Sequence, residues 1–292
     1  MWIALLCGLV VYKFLRLFFS DDDLPEVETS DSDAIFAVAS RIEKIYGGKA
    51  YVGLRIPDAD SGSRQNIDVV LVTKREAVVI SVKNFSGFVA VKSDGSWVCM
   101  SDHKHKEEHH LDPVADARRQ LRTLNSDYFP PEVIPYEQWV QLKPDSISTL
   151  SGWIKGAFCT GKKEMQESIQ KPLHFVLSTA PMCDRLELKG NRYLLGEFLE
   201  FKGKHEDVQA LQFIKRSKVD RLIVQKMSMF GLAPKKLQVL YSPRDYRTEG
   251  GSASEWKEVT VRSSTEFLFQ PRDSKKVSKI KLSSVTSVTL SA

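Results

Sequence analysis

Hydrophobic and polar positions alternate along this chain in blocks, and the period changes from block to block. Ile35, Val38, Ala39, Ile42, Ile45 and Tyr46 recur at helical spacing, so a helix is predicted with Ser32 or Asp33 as its cap and Gly47-Gly48 as its end. Tyr51 to Ile56 reads as a strand, followed by the polar loop "PDADSGSRQN". The next block, "IDVVLVTKREAVVISVKN" (67–84), reads as a β-hairpin turning near Lys74-Arg75. Gly87 to Val91 and Trp97 to Met100 are two further strands, with Asp94-Gly95 supplying the turn between them. Asp112 followed by Pro113 announces a helix running to about Ser126.

From Phe129 to Gln170 the signals are mixed. "LHFVLST" (173–179) reads as a strand, and Glu206 to Lys218 as a helix with a basic face. After Lys235 the segments "KLQVLY", "KEVTVR", "EFLFQ", "KIKL" and "VTSVTL" show the alternation and β-branched enrichment of strands. The fold class is α/β in the broad sense, or α+β. A compact domain spans 34–150, and an α+β lobe with a β-rich end spans 151–292.

The first nineteen residues, "MWIALLCGLVVYKFLRLFF", follow neither pattern. They are apolar to Tyr12 and then carry Lys13 and Arg16. A secretory signal would place the charge before the apolar run and end at small residues, so this segment (1–19) reads as a membrane anchor. Two forms are open. Either it crosses the bilayer with its cations at the headgroups, or it lies in the interface as an amphipathic helix. Positive flanks prefer the cytosolic side, which places the body of the protein there.

Residues 20–33 hold seven acids and no base, and read as an exposed linker. Removing those seven from a net charge of +5 leaves +12 on the rest. An excess of that size suits a polyanionic partner, nucleic acid or anionic lipid. The four cysteines are scattered without paired spacing, which excludes a disulfide framework or a zinc ribbon. Four histidines in "SDHKHKEEHHLDP" lack the ligand spacing of a zinc site and read as a solvated loop. "FIKRSKVDRLIVQK" and "PKKLQVLYSPRDYR" interleave cations with aromatic or apolar residues, as nucleic-acid footprints and solvated helix faces both do.

The hairpin poses the chemical question. It begins at Asp68 and closes at Lys83, and charges beside so much Val and Ile are costly unless paired or working. An even-length loop puts both side chains on one face of the sheet; an odd one splits them. A cross-strand ion pair at a strand end would explain both residues structurally.

As a unit, "IDVVLVTKREAVVISVKNFSGFV" resembles the core of the PD-(D/E)xK nucleases and, more closely, NERD, the nuclease-related domain. The upstream helix with Glu43 and the downstream "DPVADARRQ" fit in position and character, and the whole chain with its anchor is similar to plant-type NERD proteins. The resemblance implies a restriction-endonuclease-like mixed sheet flanked by helices. It also implies Asp68 as a metal-holding aspartate, Lys83 as the catalytic lysine, Glu43 as a helix-borne acid sharing the metal with Asp68, and Mg²⁺ as the cofactor. One position departs from the pattern: the acid expected two residues before the lysine is Ser81. The expectation is therefore a membrane-tethered, nuclease-related module that binds nucleic acid or another polyanion, with weakened catalysis. The alternative is an active Mg²⁺-dependent nuclease using Asp68, Lys83 and Glu43.

Overall fold

The structure is a computed structural model that describes residues 27–57, 64–74, 77–85, 87–100, 107–123, 167–227, 236–244, 256–272 and 274–291. The predicted anchor, most of the acidic linker, His103, His105 and the mixed stretch before Glu167 lie outside the described residues. Among the described residues, no helix is long and apolar enough to cross a membrane. The chain divides into two compact units, Ser30–Met182 and Cys183–Ala292, the latter joined by the residues up to Thr29.

The first unit opens with α1 (Ser30–Tyr46), which starts two residues before the expected cap. Asp31 and Asp33 sit at its positive end and Lys44 at its negative end, as the helix dipole favours. Ile35, Ala39 and Ile42 form its buried stripe. The Gly47 amide donates to the Glu43 carbonyl, and Gly47 and Gly48 both take positive φ, 71° and 90°. A Cβ on Gly48 would meet the Val72 carbonyl oxygen at 2.2 Å, so this turn accepts only glycine.

Strands β1 (Lys49–Pro57), β2 (Arg64–Val72) and β3 (Ala77–Ile80) form one antiparallel sheet in that order. A second small sheet holds β4 (Phe88–Val91), β5 (Trp97–Met100) and β6 (Glu107–His110). All the described strand pairs are antiparallel, where the resemblance implied a mixed sheet. β2 is buried without a break from Ile67 to Val72. Helix α2 (Pro113–Thr123) packs on β2 and β3. Asp112 caps it as predicted, its Oδ1 accepting the Val114 amide at 2.9 Å.

Residues 173–179 are not a strand. They belong to α3 (Glu167–Thr179), which contains Pro172. Leu173 and Leu177, one turn apart, pack on the cluster around Tyr51, Leu54 and Val70, and Tyr51 Oη bonds His174 Nδ1 at 2.7 Å. Tertiary packing along that helical stripe outweighs both the proline and the β-branched residues. Burial pushes the Tyr51 phenol above its ordinary pKa.

Among its described residues the second unit is an eight-stranded antiparallel sheet with one short α-helix, α4 (His205–Leu211), where a helix as far as Lys218 was expected. Its strands are β7 (Asp184–Leu188), β8 (Arg192–Lys202), β9 (Val219–Lys226), β10 (Lys236–Pro243), β11 (Lys257–Arg262), β12 (Glu266–Pro271), β13 (Ser278–Lys281) and β14 (Val285–Thr289). They run in the order β11-β10-β9-β14-β7-β8-β12-β13. The last strand of the chain therefore lies inside the sheet. Leu186, Leu222, Leu237, Phe267 and Phe269 centre its core, and Val27 packs against that core from the N-terminal side. Asp184 is fully buried; it accepts the Phe198 and Ser291 amides, each at 2.7 Å, and pairs with Arg216 Nε at 3.0 Å. On the edge strand β13, exposed Lys279 and Lys281 flank buried Ile280, a pattern that discourages pairing with a further strand.

Candidate functional site

The hairpin register decides how its charges meet. Val69 pairs with Ile80 and Val72 with Ala77, so continuing by one residue sets Asp68 across from Ser81. Four residues separate the last pair, an even number, so Asp68 and Ser81 meet across the strand pair, and Lys83 follows just beyond the end of β3. Asp68 sits inside the apolar run of β2 and is 3 % exposed. Two donors meet its Oδ2, the Val82 amide at 2.8 Å and the Ser81 hydroxyl at 3.2 Å. A buried carboxylate needs such donors, and these two also hold the chain just beyond the end of β3.

Lys83 takes a different partner from the one a simple cross-strand pair would give it. Its Nζ lies 3.6 Å from Asp116 Oδ2 on α2. The same oxygen accepts Gln120 Nε2 at 3.2 Å, and Oδ1 accepts Arg119 Nη2 at 2.7 Å. Asp116, Arg119 and Gln120 are spaced i, i+3 and i+4, which sets them on one helix face above the end of the hairpin. The Lys83 side chain is 33 % exposed and that of Arg119 65 %, so a ligand can reach both cations. Arg119 and Gln120 carry no signal in a reading of the hairpin. The "DARRQ" spacing, set against Lys83, was the pattern that could have found them.

Glu43 stands apart from this group. Its Oε1 accepts the Ala50 amide at 2.6 Å, tying the end of α1 to the start of β1. The residue across β1 from Asp68 is Gly53, three positions further along, about 10 Å at the strand rise. The Glu43 contact that the structure shows is thus with the turn into β1, and it shows no contact of Glu43 with Asp68 among the described bonds. Among the described residues, no three His, Cys, Asp or Glu side chains gather as metal ligands. Mg²⁺ takes oxygen ligands in a strict octahedron, with carboxylates to neutralise it. Asp68, already accepting the Val82 amide and the Ser81 hydroxyl, and Glu43, accepting the Ala50 amide, do not fit that requirement.

The histidine-rich stretch enters the structure at β6. The His110 ring stacks near Phe85 at 4.3 Å between centroids, and exposed His109 lies 3.8 Å from Glu107. These contacts serve the small sheet. Nearby Cys99 is buried, which pushes its thiol pKa up, with Glu108 adding to the shift.

The site is thus a strand-end aspartate held by protein donors, beside two reachable cations that share one helix carboxylate. Its formal charges balance, two acids against two bases. A search of curated proteins and a search of solved structures gave no match for this chain. Residues 30–142, the span that contains every member of this site, match the family model of NERD, the nuclease-related domain.

Proposed function

We propose that the chain is a nuclease-related module that binds nucleic acid through Lys83 and Arg119, with hydrolysis weakened by the loss of the motif acid. One observation carries this reading: the Ser81 hydroxyl occupies the place of a second carboxylate and donates to Asp68. An acid there would give the site three negative groups against two positive ones and favour a bound cation. With serine the groups balance, and a phosphate can displace Asp116 from the two cations without facing an added carboxylate. That carboxylate, about 4 Å from a phosphate, would cost roughly 1 to 4 kcal/mol between the dielectric of water and that of a protein surface.

The family match supports a role connected with nucleic acid. The PD-(D/E)xK ancestry and the plant-type, membrane-anchored affiliation rest on the sequence resemblance. In the same way, the apolar segment Trp2–Phe19 is proposed to tether the protein to a membrane with its body in the cytosol. Fluorescence anisotropy with labelled single-stranded and duplex oligonucleotides tests the reading. Lys83→Ala and Arg119→Ala should each weaken binding several-fold, and unchanged affinity in both would overturn it. A second reading, a Mg²⁺-dependent nuclease using Asp68 and Lys83, is favoured by Asp116 standing beside Lys83 as an acid in place of Glu43.

A further inference from the structure

We infer that the second unit holds a phosphate-binding site of its own, at the corner where the β7–β8 hairpin meets the β12–β13 loop, with Arg192 as its anchor. For its partner, nucleic acid, it rests on the reading above; for its position it rests on charge and geometry in the second unit alone.

The charge is unevenly shared. Residues 30–182 carry nineteen Lys or Arg and nineteen Asp or Glu, so the nuclease-related unit is neutral. Residues 183–292 carry twenty-one and thirteen, an excess of eight positive charges, which falls to five once residues 1–29 of the same unit are included. A polyanion held at Lys83 and Arg119 gains little from the net charge of its own unit, and the summed field gives it a second attraction towards the positive one.

Within that unit Arg192 is anomalous. It pairs with Leu188 in the β7–β8 ladder and shares the core-facing register of β8 with Leu194 and Phe198. Its Nε and Nη2 are enclosed and have no hydrogen-bond partner. Those two nitrogens form the side edge of the guanidinium, which takes a phosphate or carboxylate through two parallel bonds. Lys189 on the same hairpin is committed, its Nζ donating to the Ser283 carbonyl. Arg192, by contrast, has that edge unpartnered, so an anion that reaches it displaces no protein acceptor.

The neighbouring loop supplies more cations. The Arg272 amide donates to the Leu195 carbonyl at 2.9 Å, which fixes the start of the loop three residues along β8 from Arg192. Beyond it, Ser274 Oγ accepts the Lys276 amide at 3.0 Å, and Lys275 and Lys276 are both exposed. Edge protection accounts for Lys279 and Lys281 on β13, but not for Lys275 and Lys276 in the loop before it.

Two measurements on the full-length protein test the site. In the first, inorganic phosphate should raise the Tm of the wild type above that in chloride of equal ionic strength, and Arg192→Met should remove the difference. In the second, a labelled single-stranded 20-mer is titrated at several salt concentrations. The combined Arg192→Met, Lys275→Ala, Lys276→Ala variant should bind at least tenfold more weakly. Its slope of log K against log salt should be shallower by about two, as expected when about three phosphate contacts are lost.

If Arg192→Met fails to fold, Lys275→Glu with Lys276→Glu, both surface positions, carries the second measurement alone. No phosphate-dependent shift in the wild type overturns the site. A full loss of affinity in Lys83→Ala with Arg119→Ala, and none in the corner variants, overturns it while leaving the proposed function standing. Binding to phosphatidylserine vesicles but not to the oligonucleotide overturns the choice of partner.

Discussion

Replacing Ser81 by glutamate converts the proposed binding site towards a metal site, and the structure sets the size of the effect. The Ser81 hydroxyl lies 3.2 Å from Asp68 Oδ2, so a glutamate there brings a second carboxylate to within about 4 Å of the first. Two unit negative charges at that distance repel by roughly 1 kcal/mol in water and 4 kcal/mol at an effective dielectric near 20. Without metal the variant bears that repulsion, so Ser81→Glu should melt below wild type. A divalent cation between the carboxylates turns the repulsion into attraction. Ser81→Glu should therefore bind Mn²⁺ at least tenfold more tightly than wild type, about 1.4 kcal/mol.

Calorimetric titration of both proteins measures the affinities, and melting curves with and without Mn²⁺ measure the linked stability. Equal, tight binding by wild type would refute the reasoning, because another acid such as Asp116 would already complete the pocket. No binding by either protein would refute it differently: the hairpin end would not be convertible to a metal site by restoring charge.

Three other outcomes follow from the geometry. Glu43→Ala should cost about 1 to 3 kcal/mol, the price of an unsatisfied Ala50 amide, and leave oligonucleotide binding unchanged; lost ligand binding with unaltered stability would restore Glu43 to the site. Burial raises the Asp184 carboxyl above its ordinary value of 3.8, with Arg216 and the two amides opposing the shift. A raised folded-state pKa means that this group's stabilisation is full below the unfolded value and is lost as pH rises through the folded one. The stability difference between wild type and Asp184→Asn should therefore favour wild type more at pH 4 than at pH 7, and the opposite slope would contradict this. Asn84-Phe85-Ser86 forms a glycosylation acceptor, so the proposed cytosolic body predicts no endoglycosidase-sensitive glycan there, and its appearance would overturn that proposal.

What could be read from the sequence was local. The hairpin, its even register and the cap at Asp112 each follow from neighbours a few residues apart, and each is present. The error at 173–179 came from β-branched residues and Pro172 in a short apolar run, where only contact with the Tyr51 cluster selects the helix. β6 is "EEHH", with no apolar alternation, and exists because β5 offers it an edge. Glu43 fits a helix-borne metal ligand by type and position, but the amide it serves lies seven residues away across the turn. Arg119 and Gln120 acquire meaning only through Asp116 and Lys83, a pairing that spans 33 positions and leaves no trace in either segment alone. Sequence patterns report which side chains share a face. Which element covers that face is set by packing between distant segments.

Incubation of the full-length protein with single-stranded DNA and RNA, with Mg²⁺ or Mn²⁺, tests the central claim most directly when binding and cleavage are read together. The account predicts a retarded complex that Lys83→Ala and Arg119→Ala weaken, and intact nucleic acid at the end of the incubation. Metal-dependent cleavage by wild type that disappears in Asp68→Ala would contradict it.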